Sequence, residues 1–331
     1  MIVLGIESTC DETAAAVVRD GRDVLSHAIA SSAEIHERYG GVFPELACRR
    51  HIDAIMPVIE EALETAQIGP EEIDLIAVAK GPGLVGALLI GMQAAKGLSI
   101  AWKKPLIGVN HVEAHLYAAM MGAPDPWPFP ALGLVLSGGH TLLLKIEDVG
   151  NYQLIGTTVD DAVGEAFDKV ATLLGLPYPG GPHVEELARG GNPKRFPFRA
   201  GRVKRSPFDF SFSGIKTSVL YAVREPSFSE QDRPDAAASF QEAALQDIVK
   251  KTELALRDGP VQAIYLGGGV CNNQRLRALF AERFSLPIFW PPTDMSADNA
   301  VMIAGLGFQK FLQCGKGDPL DLEVATRIPV A

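Results

Sequence analysis

The chain is short of cysteine, of long apolar runs and of positive charge, and each shortage removes a class of protein. Its four cysteines, Cys10, Cys48, Cys271 and Cys314, are scattered over 331 residues and make no Cys-x-x-Cys pair. That excludes a disulfide framework or a sulfur-ligated zinc site as the organising principle and predicts reduced thiols in a cytoplasmic protein. No uninterrupted apolar run has the length of a bilayer span, so no membrane association is expected. The opening Met1-Ile-Val-Leu-Gly-Ile6 is apolar but short, lacks a basic leader and runs directly into acids. It predicts a buried first strand rather than a secretory signal. Acidic residues outnumber basic ones, 40 to 30, for a formal net charge of −10, which argues against a surface that binds nucleic acid indiscriminately. With 47% hydrophobic and 21% charged residues there is no compositional case for disorder. The length exceeds what one hydrophobic core usually serves, and two domains are expected.

What is present is more specific. His111-Val-Glu-Ala-His115 sets two histidines four residues apart, which on a helix is one turn apart on one face. Imidazoles at this spacing can converge on one metal ion, although chance placement on a solvated face would produce the same letters. The acidic balance has one local exception. From Arg189 to Arg205 there are seven basic residues and no acid, with Phe196 and Phe198 interleaved. Lys194, Arg195, Arg199, Arg202, Lys204 and Arg205 are candidate contacts to nucleic-acid phosphates, with the alternative of a solvated basic loop over two core phenylalanines.

Two segments read as one unit written twice. Residues 2–18 give a strand, the polar turn Glu7-Ser-Thr-Cys-Asp-Glu-Thr13 and a second apolar run; residues 132–146 give a strand, the turn Ser137-Gly-Gly-His-Thr141 and a second strand. Small residues at such turns leave backbone N–H groups free to meet an anion. A duplicated α/β protein follows, with a cleft between its halves. The first domain is expected at 1–122 plus about 300–331 and the second at 131–299, separated by the four-proline segment Ala123-Pro-Asp-Pro-Trp-Pro-Phe-Pro130. A helix is predicted at 47–66 and a strand at 75–79 that enters the glycine turn Gly81-Pro-Gly-Leu-Val-Gly86. A strand at 263–266 leads to the turn Gly267-Gly-Gly-Val-Cys-Asn-Asn273 and a helix at 274–284. Strand, glycine turn and helix can bring phosphate or ribose to a helix N-terminus, but tight turns need glycine with or without a ligand. Residues 160–169 read as an acidic helix, and about 155–250 as a mostly helical insertion in the second domain carrying a substrate surface.

Two imidazoles do not complete a metal site. The zincin motif needs Glu directly after the first histidine, where Val112 stands; the inverted motif needs Glu directly before the second, where Ala114 stands. Glu113 occupies neither register, so a peptidase lacks its general base. A distant carboxylate is the better third ligand, with Asp294 and Asp298 as candidates.

Taken in order, these motifs resemble one family. Gly5-Ile-Glu-Ser-Thr-Cys-Asp-Glu-Thr13, Gly81-Pro-Gly-Leu-Val-Gly86, Asn110-His-Val-Glu-Ala-His115, Leu136-Ser-Gly-Gly-His-Thr141, Gly164-Glu-Ala-Phe-Asp-Lys169, Tyr178-Pro-Gly-Gly-Pro182, Phe210-Ser-Phe-Ser-Gly-Ile-Lys216, Gly267-Gly-Gly-Val-Cys-Asn-Asn273 and Asp298-Asn299 match it in series. The chain resembles the TsaD family of bacterial tRNA adenosine threonylcarbamoyltransferases over essentially its whole length. The resemblance implies an α/β actin-like ATPase (ASKHA) fold of two RNase H-like domains. It implies transfer of a threonylcarbamoyl group from threonylcarbamoyl-AMP to N6 of adenosine 37 in tRNAs reading codons that begin with A. By position, His111, His115 and Asp298 would ligate one divalent metal, iron(II) first and zinc as the alternative. Val135, Leu136, Ser137, Gly138 and Gly139 would lie against the phosphate or carbamoyl end. Asp168 and Glu185 would hold ribose hydroxyls, Gly181 would allow close backbone approach, and Gly269 with Asn273 would meet the adenine side. Asp11 and Glu12 are expected either to orient the amine and take its proton or to cap their turn. Expected partners are tRNA, a TsaB-like subunit, a TsaE-like ATPase and a TsaC-type enzyme that supplies the adenylate. Competing readings are a metallopeptidase and a non-catalytic nucleotide-binding subunit; the histidine pair separates this chain from the latter.

Overall fold

The computed structural model describes residues 1–32, 44–204 and 206–330. Arg205, one of the expected tRNA contacts, lies outside the described residues. In chain order the strands are β1 (Ile2–Glu7), β2 (Glu12–Arg19), β3 (Asp23–Ser31), β4 (Leu75–Gly81), β5 (Leu106–Asn110), β6 (Ala131–Leu136), β7 (Thr141–Asp148), β8 (Asn151–Thr157), β9 (Ala263–Gly267) and β10 (Ile288–Phe289). The helices are α1 (Pro44–Ala66), α2 (Val85–Trp102), α3 (His111–Met121), α4 (Val163–Leu173), α5 (Gly180–Ala188), α6 (Ser213–Arg224), α7 (Arg233–Ala255), α8 (Gln274–Arg283) and α9 (Ala300–Cys314). The chain divides into two compact units, Met1–Ala123 with Trp290–Ala331, and Pro124–Phe289. It re-enters the first unit at Trp290 rather than near 300. The reason is local: Ser296 Oγ donates to Pro292 O (3.0 Å) and Asn299 Nδ2 to Met295 O (2.9 Å), folding the turn onto the start of α9.

The first unit is built on a five-stranded sheet in the order β3-β2-β1-β4-β5, with β1–β2 and β2–β3 antiparallel and β1–β4 and β4–β5 parallel. Leu4 and Ile6 of β1, Ala15 and Val17 of β2 and Ile76 and Val78 of β4 share one core with Ile55, Val58, Ile59 and Ala62 of α1 and Met92 and Ala95 of α2. The opposite face holds α9. A Cβ at Gly5 would lie 2.3 Å from Ala300 O, and one at Gly307 would lie 2.4 Å from Ala77 Cβ. Both faces of β1 and β4 are therefore covered, which is why they read as continuous apolar runs without alternation. By length and composition α2 alone among the described residues could cross a bilayer; here it buries Ala87, Leu88, Gly91, Met92, Ala95 and Ser99 within the first unit. The C-terminal segment covers the free edge of β5: Asp318 N donates to Leu106 O (2.7 Å) and Gly108 N to Asp318 Oδ2 (2.8 Å).

The second unit repeats the design. Its sheet runs β10-β9-β6-β7-β8, with β6–β7 and β7–β8 antiparallel and β6–β9 and β9–β10 parallel. β6 takes the place of β1, so the duplication legible in residues 2–18 and 132–146 extends to every strand of the two sheets. Helices α4 to α7 are inserted between β8 and β9. Helix α4 begins at Val163 rather than at 160. Asp160 instead accepts from Phe212 N (2.8 Å) and from Ser211 Oγ (2.6 Å), holding the loop before α6.

Candidate functional site

Strand β5 ends in Asn110, which caps α3: its Oδ1 accepts from Val112 N (2.9 Å) and Glu113 N (3.3 Å), while its Nδ2 donates to Pro329 O (3.1 Å). The cap sets the first turn, and the histidines follow on one side of it. Every residue from His111 to Met120 is buried, so the pair does not stand on a solvated face. The two rings meet edge to face with centroids 4.7 Å apart. Asp298 arrives from the other end of the chain, directly before Asn299, the cap of α9. Its Oδ1 lies 3.4 Å from His111 Nε2 and 3.2 Å from His115 Nε2. One ligand atom from each of the three side chains lies within 4.8 Å of the others. Asp294, the other candidate carboxylate, is exposed and outside this group, and buried Glu113 also lies outside it.

The group fits a metal by a further criterion. His115 is 1% exposed; its Nδ1 makes no hydrogen bond, and Nε2 faces only the Asp298 carboxylate at 3.2 Å. A buried polar atom without a partner is costly, and such atoms in a folded protein call for an explanation. Two imidazoles and a carboxylate form the donor set of metal sites that keep positions open for substrate. The charges are mutually set. Burial alone would push the His111 imidazole down, but the carboxylates of Glu7 and Asp298 overcome it and hold His111 well above the usual imidazole range. Burial would likewise raise Asp298, yet His111 and His115 hold its carboxyl well below the ordinary carboxylate range.

Glu7 was not among the residues singled out from sequence. It ends β1, fully buried, with Oε1 accepting from Thr9 N (2.6 Å) and Oε2 2.9 Å from His111 Nδ1. A glutamate at the buried end of an apolar strand was the available signal. The next turn carries Asp11 and Glu12. It is clamped by buried His51, whose Nδ1 lies 2.7 Å from Thr13 Oγ1 and Nε2 2.9 Å from Cys10 O. Burial, with Asp298 and Asp11 adding to it, pushes the Glu12 carboxyl up to about 8. Burial and the same acids push the Cys10 thiol up, so it stays protonated and unreactive. The Gly81–Gly86 turn serves packing: a Cβ at Gly83 would sit 2.6 Å from Thr9 O and one at Gly86 2.3 Å from Cys48 Sγ.

In the second unit the expected substrate residues gather at the C-terminal ends of β6 and β9. Val135 and Leu136 are buried within β6, which leaves only their backbone for a ligand. Gly268 (φ 97°) lies so close that a Cβ there would be 2.4 Å from Leu136 O. Gly164 N donates to Ser137 O (3.2 Å), which seats the start of α4 on the same turn. Cβ atoms at Gly138, Gly139, Gly181 or Gly269 would meet nothing within 4 Å, so these backbones open onto free space. Three acceptors expected to bind substrate also tie helix starts together. Asp168 Oδ1 accepts from Gly180 N (2.7 Å), Glu185 Oε1 from Gln274 N (2.7 Å), and Asn273 Oδ1 from Leu276 N (3.0 Å). Asn273 Nδ2 also donates to Gln241 Oε1 (2.8 Å), so its amide is held at both ends. Carboxylates retain further lone pairs for a diol. The start of α4 is thus seated on the Ser137–Gly139 turn, and α8 begins directly after the Gly267–Asn273 turn, settings suited to phosphate.

The basic segment holds Lys194, Arg195, Arg199, Arg202 and Lys204 exposed. Phe196 and Phe198 stack on each other at 5.4 Å, Phe196 also meets Phe228, and the Arg195 guanidinium lies 5.5 Å above the Phe196 ring. The phenylalanines anchor the loop and leave its cations in solvent.

Comparison with known proteins agrees with this geometry. A family model described as "TsaD: tRNA N6-adenosine threonylcarbamoyltransferase" matches residues 23–305. A protein of Protochlamydia amoebophila (strain UWE25) carrying the name tRNA N6-adenosine threonylcarbamoyltransferase is 59% identical, over 100% of this chain and 98% of its own length. One of the same name from Anaeromyxobacter dehalogenans (strain 2CP-C) is 49% identical, over 98% and 99%. Among solved structures, full-length HypF in a phosphate- and nucleotide-bound form superposes with a TM-score of 0.63 at 13% identity, covering 94% of this chain and 46% of that one. Component A of the (R)-2-hydroxyglutaryl-CoA dehydratase of Acidaminococcus fermentans superposes with a TM-score of 0.55 at 17% identity, covering 94% and 98%. These two likenesses identify the fold as that of the actin-like ATPases.

Proposed function

Because the chain belongs to the TsaD family of tRNA-modifying threonylcarbamoyltransferases, we propose that it takes its acyl group from threonylcarbamoyl-AMP and places it on N6 of adenosine 37 in tRNAs reading codons that begin with A. The observation that carries the metal-dependent form of this reading is the convergence of His111, His115 and Asp298, with Nδ1 of buried His115 left without a hydrogen bond. These three residues would hold one divalent ion, iron(II) or zinc. When bound, such an ion supplies Lewis-acid stabilisation for oxygens of the acyl donor.

The rest of the chemistry belongs to the chain. The N6 amine attacks the carbamoyl carbon, a C–N bond forms, the bond to the phosphate oxygen breaks, and AMP leaves with that electron pair. The amine is a weak nucleophile and the mixed anhydride a good donor, so positioning and charge stabilisation outweigh acid–base help. In the second unit the Ser137–Gly139 turn and the helix starts receive negative charge, while Asp168, Glu185, Gly181, Gly269 and Asn273 hold the nucleoside. In the first unit the ionised Glu12 carboxylate, made more basic by burial and by Asp298 and Asp11, takes the proton that the amine loses. Asp11 orients beside it. Lys194, Arg195, Arg199, Arg202 and Lys204 track the tRNA backbone. A TsaB-like subunit and a TsaE-like ATPase assist, a TsaC-type enzyme supplies the adenylate, and the work is done in the cytoplasm, where tRNA is.

The test supplies the chain and those partners with threonylcarbamoyl-AMP and a tRNA transcript, followed by mass spectrometry of the nucleosides. Threonylcarbamoyladenosine and AMP are expected in equal amounts, and none from a transcript with guanosine at position 37. No transfer from the adenylate, or transfer indifferent to position 37, contradicts the reading.

A further inference from the structure

The two histidines of the metal group are unequally supported. His115 Nδ1 makes no hydrogen bond, whereas His111 Nδ1 lies 2.9 Å from Glu7 Oε2 and 3.4 Å from Thr9 Oγ1. Glu7 is fully buried at the end of β1, and the Thr9 amide, 2.6 Å from Oε1, fixes the plane of its carboxylate. A carboxylate only accepts, so the proton shared on this side sits on His111 Nδ1. Nε2 faces Asp298 Oδ1 at 3.4 Å, and once a metal displaces any proton shared there, the lone pair left for ligation is on Nε2. A histidine with the opposite tautomer would turn an N–H toward the metal position and could not ligate.

The structure assigns Glu7 as the positioning residue that fixes the tautomer and ring orientation of His111 for metal binding. The assignment rests on the reading of His111, His115 and Asp298 as ligands. Charge supports it. The Glu7 and Asp298 carboxylates flank His111 on its two nitrogens, an arrangement that favours a cation in this place. An uncompensated carboxylate in this place would be costly. Carboxylate–imidazole pairs of this kind typically contribute about 10- to 100-fold to metal affinity.

The change Glu7→Gln isolates the effect. The amide has nearly the same size but one oxygen, so it cannot accept from both Thr9 N and His111 Nδ1–H. If its NH2 faces His111, it donates to Nδ1 and selects the wrong tautomer. Zinc affinity of the full-length protein should fall about 10- to 100-fold in this variant, with a cooperative urea transition showing that the variant is folded. A second measurement needs no variant: long-range proton–nitrogen NMR of the zinc-loaded protein should show His111 protonated at Nδ1. Wild-type protein that binds no zinc would overturn the ligand reading and this assignment with it. Wild-type protein that binds zinc while Glu7→Gln binds it equally well overturns the assignment alone, as does a zinc-bound Nδ1 on His111. Should Glu7→Gln fail to fold, the NMR tautomer decides.

Discussion

Gly5 and Ala300 are in such close contact that a Cβ on Gly5 would stand 2.3 Å from the Ala300 carbonyl oxygen. This contact lets the start of α9 lie on β1, and Asp298 sits just ahead of that start. Gly5→Ala must therefore push α9 away. It should destabilise the protein by about 1–3 kcal/mol and weaken zinc binding together with it. Urea unfolding and zinc titration read the two effects; loss of stability with unchanged affinity would separate α9 from the metal group.

His115 separates function from stability. Its Nδ1 is buried without a hydrogen bond and its Nε2 faces only Asp298 at 3.2 Å, so His115→Leu should change stability little when no metal is supplied. Zinc at about 100 times its Kd should stabilise the wild type by about 2.7 kcal/mol and this variant not at all. Thermal or urea unfolding with and without zinc measures both.

Glu12 supplies the pH dependence. Its folded carboxyl is raised from 4.5 to about 8. The folded state then holds a proton that the unfolded state has released, so the contribution to stability is full below pH 4.5 and is lost as pH rises to about 8. Glu12→Gln cannot ionise, and the decline between these values should flatten in the metal-free protein. An unaltered stability profile would show that Glu12 titrates normally.

The basic segment makes a prediction about salt. Charge reversal at Arg195 and Arg202 should weaken tRNA binding and lower the slope of log affinity against log salt by about 1 for each phosphate that is no longer neutralised. Unchanged affinity and slope would remove the segment from the tRNA surface.

The histidine pair and the duplicated hairpins could be read from sequence because periodicity and spacing record them directly. Asp298 could not be chosen over Asp294 by spacing; the family resemblance singled it out, and the fold shows why, since only Asp298 adjoins the cap of α9. Glu7 escaped notice because a strand-end acid reads as part of a turn, and its partner His111 is far off in sequence. The glycines of the Gly81–Gly86 turn fit either a ligand loop or a plain tight turn by sequence, and Gly83 and Gly86 answer to Thr9 and Cys48. Sequence spacing records local geometry well, whereas close approach between distant backbones leaves only the residue type.

The most direct test of the account measures metal content and threonylcarbamoyladenosine formation together, for wild type, His111→Ala and His115→Ala, in the reconstituted tRNA reaction. The account predicts about one equivalent of metal and modified tRNA for the wild type, with both reduced by at least about 100-fold in the variants, as expected where a ligand itself rather than its support is removed. Undiminished modification by folded, metal-free variants would contradict it.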